Sequence, residues 1–326
     1  MAIRRVFKNL AWAAGAMALA FAAQAADPYP NHPVKLVVAL PAGGSVDMIA
    51  RLVGQKLASE WGQPFVVDNK AGASGRIGVP TVAKAAPDGY TLMASPASFL
   101  TTNKSMFKAL PYDPEADFAP IAKLVNQPMV LVAKDRQKFA SLAAVLAAAK
   151  AQPGVVTYAS SGDGSPQHLA GLMFETRAQV RMLHVPYKGG ALAVNDLLGG
   201  NIDLLFAPLP EALPHLKAGK LFGVAIMSEQ RSALLADVPT MQESGLQALN
   251  MSAWIGLLAP AGTPPAIVER LNRQVHTVLH SDDVKAQLRD AGMELAAGTP
   301  QELQRTITQE LQLHADLVRA AGLVPQ

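Results

Sequence analysis

The chain has 326 residues, half of them apolar, no cysteine and a formal net charge of +3. That length exceeds one ordinary domain, so two lobes are expected, and the missing cysteines exclude disulfides and thiol catalysis, leaving histidine and carboxylates as metal ligands. The charge excludes more than it implies: Arg4, Arg5 and Lys8 precede every acidic residue, and beyond residue 25 the 25 basic and 25 acidic side chains cancel, so neither nucleic acid nor an anionic membrane surface is predicted as a partner.

The basic start leads into the uncharged run NLAWAAGAMALAFAAQAA, Asn9 to Ala26, which contains Ala23-Gln24-Ala25. This pattern predicts a secretory signal peptide over 1–25, cleaved after Ala25, and a periplasmic protein. The pair RRVF leaves both the Sec and the twin-arginine route open. Next, VKLVVAL (34–40) reads as a buried strand that passes through Pro41-Ala42-Gly43-Gly44 into a helix over Ser45 to Trp61, with Val46, Ile49, Val53 and Leu57 on one stripe. Free N–H groups and the positive helix end then meet at the strand's carboxyl edge, so Ala42, Gly43, Gly44 and Ser45 form an expected anion cradle. A β-branched side chain at Gly43 is expected to fill it and leave the fold intact. Asp47 would repel an anionic ligand there, so it is expected to turn away and support the turn.

Further strand-like runs are FVVD (65–68), YTLMAS (90–95) and MVLVAK (129–134), followed by an alanine-rich helix over Leu142 to Ala151. SPASFL places Ser95 at a strand end facing the cleft, and Phe99 either in the same loop or in the core. VVTYAS (155–160) opens a second strand, turn and helix, in which Ser165-Pro166 reads as N-cap and first helical residue. Ser160, Ser161, Gly162, Gly164 and Ser165 form its cradle, with His168 as a cap or pocket donor. The runs RMLHV (181–185), IDLLFA (202–207), FGVAIM (222–227) and AWIGLLA (253–259) complete nine strands. Most are apolar at consecutive positions, as strands covered on both faces require, and this predicts parallel-rich α/β sheets. Pro264 to Gly322 reads as three helices without a strand.

Catalytic motifs fail residue by residue. Gly44 is followed by Ser-Val-Asp and not by Lys-Ser/Thr, GDGSPQ lacks the third dinucleotide-binding glycine, and no G-x-S-x-G occurs. His276 and His280 share a helix face but lack the glutamate and third ligand of a zinc site, so no metal and no cofactor is expected. A hydrolase or lyase built on His168 with a cleft serine or Asp163 stands as the enzymatic alternative.

YPNHPVKLVVALPAGGSVDMIARLVGQKLASEWGQPFVVDNKAGASGRIG, LPYDPEADFAPI, YASSGDGSPQHLAG, HVPYKGG, LLGGNIDLLF, LPHLKAGKL, DVPTMQESGL and WIGLLAPAGTPPAIVERLN, in this order, resemble the Bug-type receptors of the tripartite tricarboxylate transporter family. The resemblance implies a two-lobed periplasmic-binding-protein fold of the Venus-flytrap, type II-like kind, with a helical C-terminal tail. One lobe would comprise 26–128 plus 253–326 and the other 129–252. It implies a monomer that closes on a small organic acid held by Pro41 to Asp47 and Ser160 to His168, and that serves integral membrane permease subunits or a membrane sensor. Where members often show Asp-Asn, this chain has Ala207-Pro208, which suggests a more apolar wall and a ligand with an apolar or aromatic part.

Overall fold

The computed structural model describes residues 29–247, 249–320 and 322–325; the expected signal peptide lies outside them. Each of the nine apolar runs falls in a strand, although the run over 129–134 is only the end of its own: β1 (Val34–Val38), β2 (Phe65–Asn69), β3 (Thr91–Pro96), β4 (Phe118–Ala133), β5 (Thr157–Ser160), β6 (Leu183–Pro186), β7 (Leu204–Pro208), β8 (Phe222–Ile226) and β9 (Ser252–Pro260). The helices are α1 (Ser45–Trp61), α2 (Val79–Ala83), α3 (Ala97–Thr101), α4 (Asn103–Met106), α5 (Leu142–Ala151), α6 (Pro166–Ala178), α7 (Gly190–Gly199), α8 (Leu209–Lys217), α9 (Pro265–His280), α10 (Asp282–Asp290) and α11 (Pro300–Ala320).

The strands run in the order β2-β1-β3-β9-β4-β7-β5-β6, and β8 also pairs with β4. Parallel pairing is confined to the outer sets, where β1 lies between β2 and β3 and β5 lies between β6 and β7. The central strands are antiparallel, which corrects the expectation of a mainly parallel ladder. The reason is the chain's path. β4 runs out of the first half of the sheet into the second, and β9 returns the opposite way beside it. From Phe118 to Pro128, β4 pairs with β9; from Met129 to Ala133 it pairs with β7 and β8 instead. The tail also departs from expectation by one element, since β10 (Glu294–Leu295) joins the free edge of β4.

Consecutive apolar residues are explained by cover on both faces. Leu36 and Val38 of β1 pack under α1, α9 and α10, whereas Val37 and Ala39 face α2 and α11. In the second half, Met129, Leu131 and Ala133 pack with α5 and α6, and Val130 and Val132 pack with α7 and α8. The architecture is therefore a two-lobed α/β fold with helices on both sides of each sheet half. The last helix, α11, touches α3 and α4 of the first half and also α6 of the second.

Candidate functional site

In the first turn, Pro41 to Gly44 are exposed and α1 begins at Ser45 with Gly44 as its N-cap. No side chain caps α1, so the first-turn N–H groups, which have no partner within a helix, face outward. Gly43 has φ +88°, a left-handed conformation that favours glycine. Valine there would strain the backbone as well as fill the cradle, so the substitution costs stability as well as binding. Gly44 differs. It is extended, at φ −80° and ψ 173°, and a Cβ built on it meets no atom within 4 Å. The fold itself gives no steric reason for glycine at this position.

Asp47 is buried and does what its placement suggested. Its Oδ2 accepts hydrogen bonds from the Gly43 N–H at 2.9 Å and from Arg51 Nε at 2.9 Å, and its Oδ1 accepts from Asn69 Nδ2 at 2.9 Å. Asn69 Nδ2 also reaches the Leu40 carbonyl, which ties β2 to the exit of β1. Burial alone would raise the Asp47 pKa, but the bonds from Arg51, Gly43 and Asn69 together hold it below the ordinary carboxylate value. The Gly43 N–H is thereby spent on the protein. The donors left for an anion are those of the first turn of α1.

The second turn is more self-contained. Ser160 is fully buried; its hydroxyl donates to the Gly162 carbonyl, receives the Gly162 N–H, and lies 2.7 Å from His184 Nε2. Ser165 caps α6 by accepting the His168 N–H, and its own N–H donates to the Gly162 carbonyl. The Gly164 N–H donates to His168 Nδ1 at 3.1 Å, so the His168 ring proton sits on Nε2. Burial, reinforced by the adjacent His184, lowers the His168 pKa to about 4, and the ring is neutral. Gly164 packs against Met106 and Thr102 of the first half, so this turn bridges the two halves of the molecule. Ser160, Gly162, Gly164, Ser165 and His168 thus set the shape of the turn. The Ser161 hydroxyl instead donates to Gln167 Oε1 at 2.9 Å, and Gln167 Nε2 donates to Glu211 Oε2 at 3.2 Å.

Four residues considered for the cleft wall have their side chains inside the protein. Ser95 is fully buried and bonds the Pro96 carbonyl. Ala207 is fully buried in the ladder opposite Val130, and Pro208 pairs with Met129. Phe99 packs in the core beneath Gly75. These side chains therefore belong to the protein interior. Residues not singled out beforehand are His184, Gln167, Glu211 and the pair Gly189-Gly190. The last carried a readable signal, because strand, Gly-Gly and helix repeat the pattern of the first turn.

Asp163, His168 and His184 bring potential metal-ligating atoms within 4.8 Å of one another. The two imidazoles are stacked at 3.8 Å with an interplanar angle of 3°. Their in-plane lone pairs run side by side rather than converging, and His168 Nδ1 is already an acceptor, so a tetrahedral ion would require a ring to turn. His276 and His280 stack at 4.0 Å on α9, and His280 Nδ1 lies 2.8 Å from the His276 carbonyl.

Residues 49–323 match the model of the tripartite tricarboxylate transporter family receptor. The chain is 38% identical over 298 residues, 91% of each sequence, to the protein BugT of Bordetella pertussis. In structure it is similar to R. palustris Rpa4515 with adipate, at 34% identity and a TM-score of 0.86 over 91% of this chain and 100% of that one. It is also similar to MatC from Rhodopseudomonas palustris with bound malate, at 31% identity and a TM-score of 0.81 over 89% and 100%.

Proposed function

The chain belongs to the tripartite tricarboxylate transporter receptor family, and from that membership we propose that it captures a small organic carboxylate between its lobes and delivers it to an integral membrane transporter. The observation that carries this reading is the first turn. Its helix end is uncapped, Asp47 braces it from behind, and Gly44 is bare where the protein packs nothing. Such a surface offers backbone donors and the positive end of a helix dipole to a carboxylate oxygen. Relatives with adipate and malate supply the ligand class.

Lobe boundaries at residues 128/129 and 252/253 are part of the proposal, supported by the change of β4 partners at Met129. Closure of one lobe on the other would then bring Gly44 to Val46 and Ser161 to opposite sides of the ligand. Export by a signal peptide over 1–25 and action as a monomer complete it.

An enzymatic reading has one geometric feature in its favour. Ser160, His184 and Asp163 stand in the order of a serine–histidine–acid triad, at 2.7 and 3.7 Å. The serine is fully buried with its hydroxyl engaged by Gly162, and the second contact is too long for a hydrogen bond. We assign the group to turn support.

The test is a thermal-shift screen of the chain from Ala26 onward against mono-, di- and tricarboxylates. A ligand at a hundred times its Kd should add about 2.7 kcal/mol. A shift by one class of acid, with the acid recovered unchanged, is expected; no shift by any carboxylate would overturn the reading.

A further inference from the structure

The strands β5, β6 and β7 end at one edge, and their connections lead into α6, α7 and α8. In parallel α/β arrangements this carboxyl edge is where ligands lie. Glu211 sits in the first turn of α8, and its carboxylate rests on the bare Cα of Gly190 at the start of α7. A Cβ at Gly190 would lie 2.5 Å from Glu211 Oε2 and 2.9 Å from Oε1. Gly190 lies outside the left-handed region, so here the neighbouring carboxylate, and not the backbone conformation, demands glycine.

A polar relay fixes the orientation of this acid. The Ser161 hydroxyl binds Gln167 Oε1, which turns the amide so that Nε2 faces Glu211 Oε2. Gln167 is the hydrogen-bond donor to Glu211, and no ion pair forms with it among the described residues. The side chain keeps partial solvent access. It is nevertheless closely surrounded by protein, and this burial pushes its pKa up to about 7. Only Oε2 is engaged by Gln167, and Oε1 is not among the buried atoms left without a partner, so the second oxygen remains for a partner from outside.

The positive ends of α7 and α8 draw negative charge to this corner, and the protein supplies that charge from its own side chain. A carboxylate arriving here would meet another carboxylate, whereas a hydroxyl or ammonium would meet an acceptor in need of a donor. We propose that Glu211 reads the far end of the bound acid and selects ligands carrying a hydrogen-bond donor there, a hydroxyl or an ammonium, over ligands ending in a second carboxylate. This rests on the receptor reading above and adds to it the chemistry of the second ligand group.

The test is isothermal titration at about pH 8 with acids of matched length, from four to six carbons, ending in methyl, carboxylate, hydroxyl or ammonium. Wild type should bind the hydroxyl or ammonium member at least tenfold more tightly than the dicarboxylate of equal length. Glu211→Gln should reduce that ratio to within about threefold. Gly190→Ala, which displaces the carboxylate and keeps its charge, should reduce it as well. The ratio is the readout, because a merely structural role would change all affinities together. A preserved ratio in both folded variants, or a wild-type preference for the dicarboxylate, overturns the assignment of Glu211 and leaves the receptor reading standing. If wild type binds none of these acids and no other carboxylate, both fall together.

Discussion

Two adjacent glycines in the first turn carry different obligations. Gly43→Ala places a Cβ in the left-handed region and should cost about 1–2 kcal/mol in chemical denaturation. Gly44→Ala, in extended backbone beside open space, should change stability by less than about 1 kcal/mol. A larger loss at Gly44 than at Gly43 would contradict this division of roles. Asp47→Ala removes an acceptor for three donors and leaves the Gly43 N–H without its partner, so a loss of roughly 2–4 kcal/mol is expected. The supporting role of Asp47 was legible because its partner Gly43 lies four residues away. The Gln167–Glu211 contact was not, since it joins residues 44 apart and depends on where two strand ends meet. Ala207 misled for the opposite reason. Its neighbours in sequence suggested a wall, but its position in the ladder against β4 turns it into core.

At the scale of elements, apolar runs marked each of the nine strands and the Ser165 N-cap placed the start of α6, because both signals are local, but the run over 129–134 marked only the end of β4. Strand direction in the centre of the sheet was not local. Nothing within 118–133 states that β9 will return beside it. The seating of α11 was equally hidden. Trp254 Nε1 of β9 donates to both carboxylate oxygens of Glu310 at 2.9 Å, and burial outweighs that bond to push the Glu310 pKa up to about 7. The folded protein therefore holds this proton more tightly than the unfolded chain, and the stability present at low pH is lost as pH rises through about 7. Glu310→Gln keeps an acceptor for the indole and removes the titration. Urea denaturation should find this variant about 1–3 kcal/mol more stable than wild type near pH 8 and nearly equal near pH 5. Equal stability at both pH values would show that Glu310 is solvated despite its enclosure.

Across the whole molecule, buried acids and buried histidines oppose each other, and the groups driven furthest are two of each. Glu211 and Glu310 are raised to about 7, mainly by burial, so they subtract stability as pH rises from about 4.5. His168 and His314 are lowered to about 4, again mainly by burial, so they add stability as pH rises toward about 6.5. The free energy of unfolding should be nearly level between about pH 4.5 and 6.5 and fall between about 6.5 and 7.5, where the acids alone still titrate. A steady rise through that last interval would contradict the balance. Three of the four groups sit where the halves meet or where the turns are braced: His168 in the second turn, Glu211 beside it, and His314 on α11, bonded to Thr101 and Thr102. On the other side of the cleft, the proposed carboxylate site is an uncapped helix end beside a bare Gly44. The most direct measurement is isothermal titration of wild type and Gly44→Ala with the acid that stabilises the wild-type protein. Binding by wild type and at least a hundredfold loss in a Gly44→Ala protein of unchanged melting temperature is the predicted result; equal affinity in the two would contradict the account.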